Sequence, residues 1–137
     1  MKSELDKVDV INKSIEELEN DYWKEPEFKS GLTMMCYEAR KKKINELSDE
    51  EIGTLIRQKI GLKYLLPLAV KKIEKYTTIL NDFYMSDFLD TLLRLDNEEW
   101  VNNSEDKEKL ITILYDSINV LNSECSKQVE EYLKENK

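Results

Sequence analysis

Ile60-Gly61-Leu62-Lys63-Tyr64-Leu65-Leu66-Pro67-Leu68-Ala69-Val70 is an apolar block in a chain where 36% of residues are charged. Leu62, Leu65, Leu66, Ala69, Val70 and Ile73 recur at helical spacing, which predicts a core helix over 62–75. Gly61 stands where the preceding helix is expected to close, and Pro67 reads as a first-turn proline whose missing N–H costs nothing. Nothing in this block can do chemistry. It fixes the fold class, and helices extend from it in both directions.

Upstream, Ser48-x-x-Glu51 is a capping box that opens a helix carrying Ile52, Leu55, Ile56 and Ile60 on one side. Before it, Leu32, Met35, Cys36 and Ala39 form an apolar face ending in Arg40-Lys41-Lys42-Lys43, cations that suit a helix C-terminus. Trp23 to Lys29, with Pro26, reads as a loop. Val8, Ile11, Ile15, Leu18 and Tyr22 keep helical spacing over residues 4–22, while Ser14-x-x-Glu17, a second capping box, allows a break near Asn12.

Downstream, Asn81-Asp82 marks a turn. Asp82 or Ser86 caps a helix with Met85, Phe88, Leu89, Leu92 and Leu93 as its apolar face. Asp96–Asn103 reads as a polar connection interrupted by Trp100 and Val101. From Ser104 the spacing of Leu110, Ile113, Leu114, Ile118, Leu121, Cys125, Val129, Tyr132 and Leu133 stays helical, with Asn122-Ser123 allowing a bend or a split. The expectation is an all-α chain, one compact domain over residues 1–137 with about six to eight helices, and residues 1–12 as an extension. Its expected core includes Leu18, Cys36, Ile56, Leu62, Leu65, Leu66, Ala69, Val70, Phe83, Leu89 and Leu93.

Composition narrows function mainly by exclusion. With no histidine, Ser-His-Asp and Cys-His catalysis, His-ligated zinc and the HExxH helix are all unavailable. The three glycines are scattered, so no glycine-rich loop cradles a phosphate. Cys36 and Cys125 have no metal or redox spacing and read as reduced thiols. Asp82, Asp87 and Asp90 lie near a helix start, where carboxylates are usually caps and dipole partners. No catalytic residue, metal site or cofactor is expected. The N-terminus lacks an apolar signal-peptide core and no apolar run reaches membrane-spanning length, so the expected location is the cytoplasm.

Charge is uneven. Residues 1–30 hold 5 Lys and 9 acids, residues 31–75 hold 10 Lys/Arg and 6 acids, and residues 76–137 hold 6 Lys/Arg and 14 acids; the segment charges of −4, +4 and −8 give the total of −8. Direct nucleic-acid binding is disfavoured, since phosphate contacts need a basic surface. An acidic surface suits a basic protein partner.

Ser14-Ile15-Glu16-Glu17-Leu18-Glu19-Asn20-Asp21-Tyr22-Trp23, then Pro26, Cys36 and Arg40-Lys41-Lys42, then the 60–69 block and Asp82-Phe83-Tyr84 occur in a characteristic order. Together, over roughly residues 13–100, they resemble the immunity proteins of contact-dependent growth inhibition (CDI) systems. Met85-Ser86 stands where the family has Pro-Gly. The resemblance implies a cytoplasmic bacterial protein that binds the C-terminal toxin domain of a cognate CDI effector, often a nuclease, and blocks its active site. The expected complex is a monomer binding toxin 1:1, and charge and the lack of a long apolar run argue against direct nucleic-acid or membrane contact. Placed by charge, the expected toxin-binding residues are Asp82, Tyr84, Asp87, Asp90, Asp96, Glu98, Glu99 and Trp100. The alternative is a helical adaptor or regulatory protein-interaction domain without catalytic activity. A transcriptional domain would need a basic recognition helix, and the 40–43 run lacks base-reading neighbours.

Overall fold

A computed structural model describes residues 10–27, 30–76, 83–117 and 123–136. Helices account for the regular structure among them: α1 (Ile15–Glu19), α2 (Gly31–Ala39), α3 (Asp49–Arg57), α4 (Leu62–Tyr76), α5 (Phe83–Leu93), α6 (Ser104–Ser117) and α7 (Ser123–Glu135). Two 3-10 helices, Ile44–Glu46 and Asn97–Asn103, join them. The all-α expectation holds. The one β-type pairing among the described residues is an isolated bridge, Ser14 to Lys43. None of the described helices is long and apolar enough to cross a membrane.

The chain divides into two compact units, residues 1–65 and 66–137. In the first, both capping boxes form as read. Ser14 and Ser48 hydroxyls accept from the Glu17 and Glu51 N–H groups, and the two glutamates reach back to the serine N–H groups. The break near Asn12 is real. Asn20 then ends α1 in the left-handed region (φ 52°), with the Asp21 N–H returning to the Glu16 carbonyl at 3.1 Å. The spacing that suggested helix as far as Tyr22 is thus overruled, and Tyr22 is exposed. Val8 and Phe83 lie outside the described side chains.

The end of α3 corrects a second expectation. Lys59 (φ 60°), not Gly61, is the left-handed residue that closes α3, with Lys59 N–H on Ile56 O and Ile60 N–H on Leu55 O, both 2.9 Å; Gly61 is left-handed as well (φ 66°) but lies beyond the cap. Gly61 opens α4 instead, its carbonyl accepting from Tyr64 and Leu65 N–H at 3.0 Å. Pro67 lies in the second turn of α4 rather than the first, on its exposed side, where its ring leaves Lys63 O without the usual i+4 donor.

The core of the first unit is Ile15, Cys36, Ala39, Ile44, Leu47, Ile52, Leu55, Ile56 and Leu65, with α2 packed on α3. Leu32, expected on the buried face of α2, is exposed at its first turn; Leu18 and Leu62 are half-buried. In the second unit Leu66, Ala69, Val70, Ile73, Phe88, Leu89, Leu92, Leu110, Leu114, Val129 and Leu133 are buried, and Leu93 is half-buried. Here α5 packs on α7, and the Asn97–Asn103 helix packs on α6. The segment read as a polar connection is therefore structured, because Trp100 and Asn103 turn inward from it. Ser86 lies inside α5, so it is not that helix's cap, and Asn81, Asp82 and Asn122 fall outside the described residues.

Candidate functional site

Two surfaces carry chemistry, one in each unit. In the second unit, Glu74 of α4 and Glu105, Glu108, Lys109, Thr112, Ile113 and Asp116 of α6 line an open groove of ≈ 690 Å³. The sequence forms it simply. Leu110 and Leu114 turn α6 inward, which leaves Glu105, Glu108, Thr112 and Asp116 at helical spacing on another face. Four carboxylates against one ammonium make an anionic wall that favours cations. Tyr115, half-exposed, stands on the same helix.

The Asn97–Asn103 helix is fastened to the start of α6. Lys107 Nζ donates to Asn97 Oδ1, and Asn103 Nδ2 donates to Asp106 Oδ2 at 3.2 Å. Asp96 sits at its N-cap without a side-chain capping bond, and Asp96 and Glu98 are exposed. Glu99 is half-buried. Asp90 accepts from Arg94 Nε at 2.7 Å, one helical turn on. Of the residues expected to bind a partner, Asp96, Glu98 and Glu99 are thus brought together on one supported element. Trp100 is a correction: it is 2% exposed, so its ring builds the core and is not offered to a partner. The side chains of Asp82, Tyr84 and Asp87 lie outside the described residues.

In the first unit, Arg40, Lys41 and Lys42 of the Arg40–Lys43 run are paired internally. Lys41 Nζ meets Glu16 at 3.3 Å and Lys42 Nζ meets Glu51 at 2.8 Å. That Glu51 contact raises Lys42 above the usual lysine range. Arg40 is only 1% exposed. Its Nη2 donates to Glu19 Oε1 at 2.9 Å and to the Asp21 carbonyl at 2.8 Å, and the guanidinium lies over the Trp23 ring at 4.1 Å. Three of the four cations at 40–43 are thus engaged within the unit, which weakens a transcriptional reading built on that run. In the sequence Arg40 stands beside three lysines, which masks its role. Its spacing four residues after Cys36, on the buried face of α2, was the available signal.

Among the described residues no group of three or more Cys, Asp or Glu is placed to hold a metal ion. Burial pushes the Cys36 thiol up, away from the thiolate form that reacts. What both surfaces present is acidic charge and aromatic area, the material of a protein interface.

A family model described as CDI immunity proteins matches residues 17–110. The chain belongs to that family. No curated protein and no solved structure matches this immunity protein. The matched span takes in the Arg40 node, both 3-10 helices and the acidic wall as far as Lys109; Thr112, Ile113, Asp116 and α7 follow it. Family membership implies neutralisation of a toxin.

Proposed function

We propose that this protein binds the C-terminal toxin domain of its cognate CDI effector, one copy to one, and neutralises it by covering the toxin's active site. The toxin is read as a nuclease, whose phosphate-binding cleft must be basic. The observation that carries this reading is the anionic wall lined by Glu74 of α4 and Glu105, Glu108 and Asp116 of α6, four carboxylates to one lysine, with Asp96 and Glu98 on the adjoining 3-10 helix. Such a surface complements a basic cleft in sign, speeds encounter and excludes other partners. The immunity protein supplies no catalytic step. Its effect is steric and electrostatic, with anionic side chains occupying ground that nucleic-acid phosphate would otherwise take.

The test is nuclease inhibition. Purified toxin domain is titrated with this protein and its action on RNA and DNA is followed. The expected result is stoichiometric loss of activity at one immunity protein per toxin, together with survival of cells that co-express both. Undiminished nuclease activity at molar excess, with no rescue of growth, would contradict it.

A further inference from the structure

We infer that the Tyr22–Trp23 segment of the first unit is a second contact surface for the basic toxin domain, held in binding shape by Arg40; this rests on the toxin-neutralising reading above. Residues 21–27 form neither helix nor strand, yet they are anchored at several points. The Arg40 guanidinium holds the Glu19 carboxylate, the Asp21 carbonyl and the Trp23 ring, on both sides of Tyr22. Two adjacent aromatics are nevertheless left open to solvent, Tyr22 at 60% and Trp23 at 38%. Aromatics on a loop beside a small core usually fold inward, because burial of their large apolar area is favourable. Here the sequence spends a buried cation to keep the loop fixed with both rings at the surface.

The cost of that arrangement argues for a purpose beyond packing. Arg40 Nε and Nη1 are buried and have no hydrogen-bond partner among the described residues. An apolar side chain would close the same core without that penalty. What only the guanidinium can do is bind a carbonyl, a carboxylate and an indole face together. A preordered Tyr-Trp pair loses little conformational freedom on association, and such residues dominate binding energy at interface centres.

Charge selects the occupant. Glu19, Asp21, Glu25 and Glu27 stand against Lys24 within residues 19–27, a surplus of three negative charges, or two once Arg40 is counted. A basic protein surface fits. Its Lys or Arg side chains can lay their stems along the indole and their charges against the Tyr22 ring and the flanking carboxylates. Arg40 is a positioning residue in this account, and Tyr22 and Trp23 make the contact.

The experiment measures dissociation and association of a catalytically inactivated toxin domain with wild type, Tyr22→Ala, Tyr22→Phe and Trp23→Ala. Tyr22→Ala is the decisive variant, since an exposed side chain can be removed with the thermal melt unchanged. Its dissociation should be faster by about ten-fold or more, with association within about two-fold of wild type, because the charges that steer encounter remain. Tyr22→Phe should restore most of the wild-type residence time. A wild-type complex whose dissociation rate is the same in Tyr22→Ala overturns this inference and leaves the neutralising function standing. Absence of any complex with wild type overturns the neutralising function itself.

Discussion

A Cβ placed on Gly61 would stand 2.8 Å from Ile15 Cδ1, inside van der Waals contact, and Gly61 holds a φ of +66°. Both facts demand glycine at the joint where α3 hands over to α4. The left-handed backbone costs a non-glycine residue roughly 1–2 kcal/mol, and overpacking against a fully buried isoleucine adds roughly 1–3 kcal/mol. Gly61→Ala should therefore destabilise by about 2–5 kcal/mol in urea titration. A loss below about 0.5 kcal/mol would mean the joint relaxes freely.

Leu66 is fully buried on α4. Leu66→Ala removes three carbons from a packed site and should cost about 2–5 kcal/mol. Chemical denaturation measures it, and a loss under about 1 kcal/mol would contradict the helix phase that the 60–70 block dictates.

Glu51 is a pH-dependent element. Burial pushes its carboxyl up, but hydrogen bonds from Lys42 and from the Ser48 N–H and hydroxyl, with the Lys42 charge, outweigh it and hold the group below its ordinary 4.5. A lowered folded pKa contributes stability that is present above about 4.5 and lost as pH falls through the folded value. Glu51→Gln keeps the capping geometry but removes the charge. Wild type should be the more stable at pH 7, and the two urea midpoints should converge as the medium is acidified. A constant gap would contradict the assignment.

Tyr132 behaves oppositely. Burial raises its phenol from 10.0 to about 12, and its hydroxyl has no hydrogen-bond partner among the described residues. The unfolded chain ionises first, so stability falls as pH rises from about 10 towards about 12. Two units correspond to roughly 2–3 kcal/mol. Tyr132→Phe should match or exceed wild-type stability at pH 7, since an unpaired hydroxyl is removed. It should also lack the share of the alkaline loss that Tyr132 causes. Parallel alkaline unfolding curves for the two proteins would contradict this.

What the sequence made legible was local. Both capping boxes were readable because their bonds span three residues, and the helical faces were readable because spacing alone sets them. The errors lie where a local signal had to compete with a distant contact. Gly61 looked like the end of α3, yet its glycine is required by Ile15, 46 residues earlier. Trp100 looked like a surface anchor in a polar stretch, but a 3-10 helix turns it inward. Arg40 was hidden among lysines because its partners, Glu19, Asp21 and Trp23, lie 17 to 21 residues away. The acidic character of the proposed binding surface was visible in composition. Which acids stand outward was not, because that depends on the burial of Leu110 and Leu114.

If an acidic surface guides this immunity protein onto a basic toxin, stopped-flow association with the inactivated toxin domain will show it. Wild type should associate more slowly as salt rises, by about ten-fold or more between low and high ionic strength. The paired reversals Glu105→Lys with Glu108→Lys, and Asp96→Lys with Glu98→Lys, should slow association at low salt and flatten its salt dependence, while circular dichroism stays unchanged. Association rates that ignore both salt and these reversals would contradict the account.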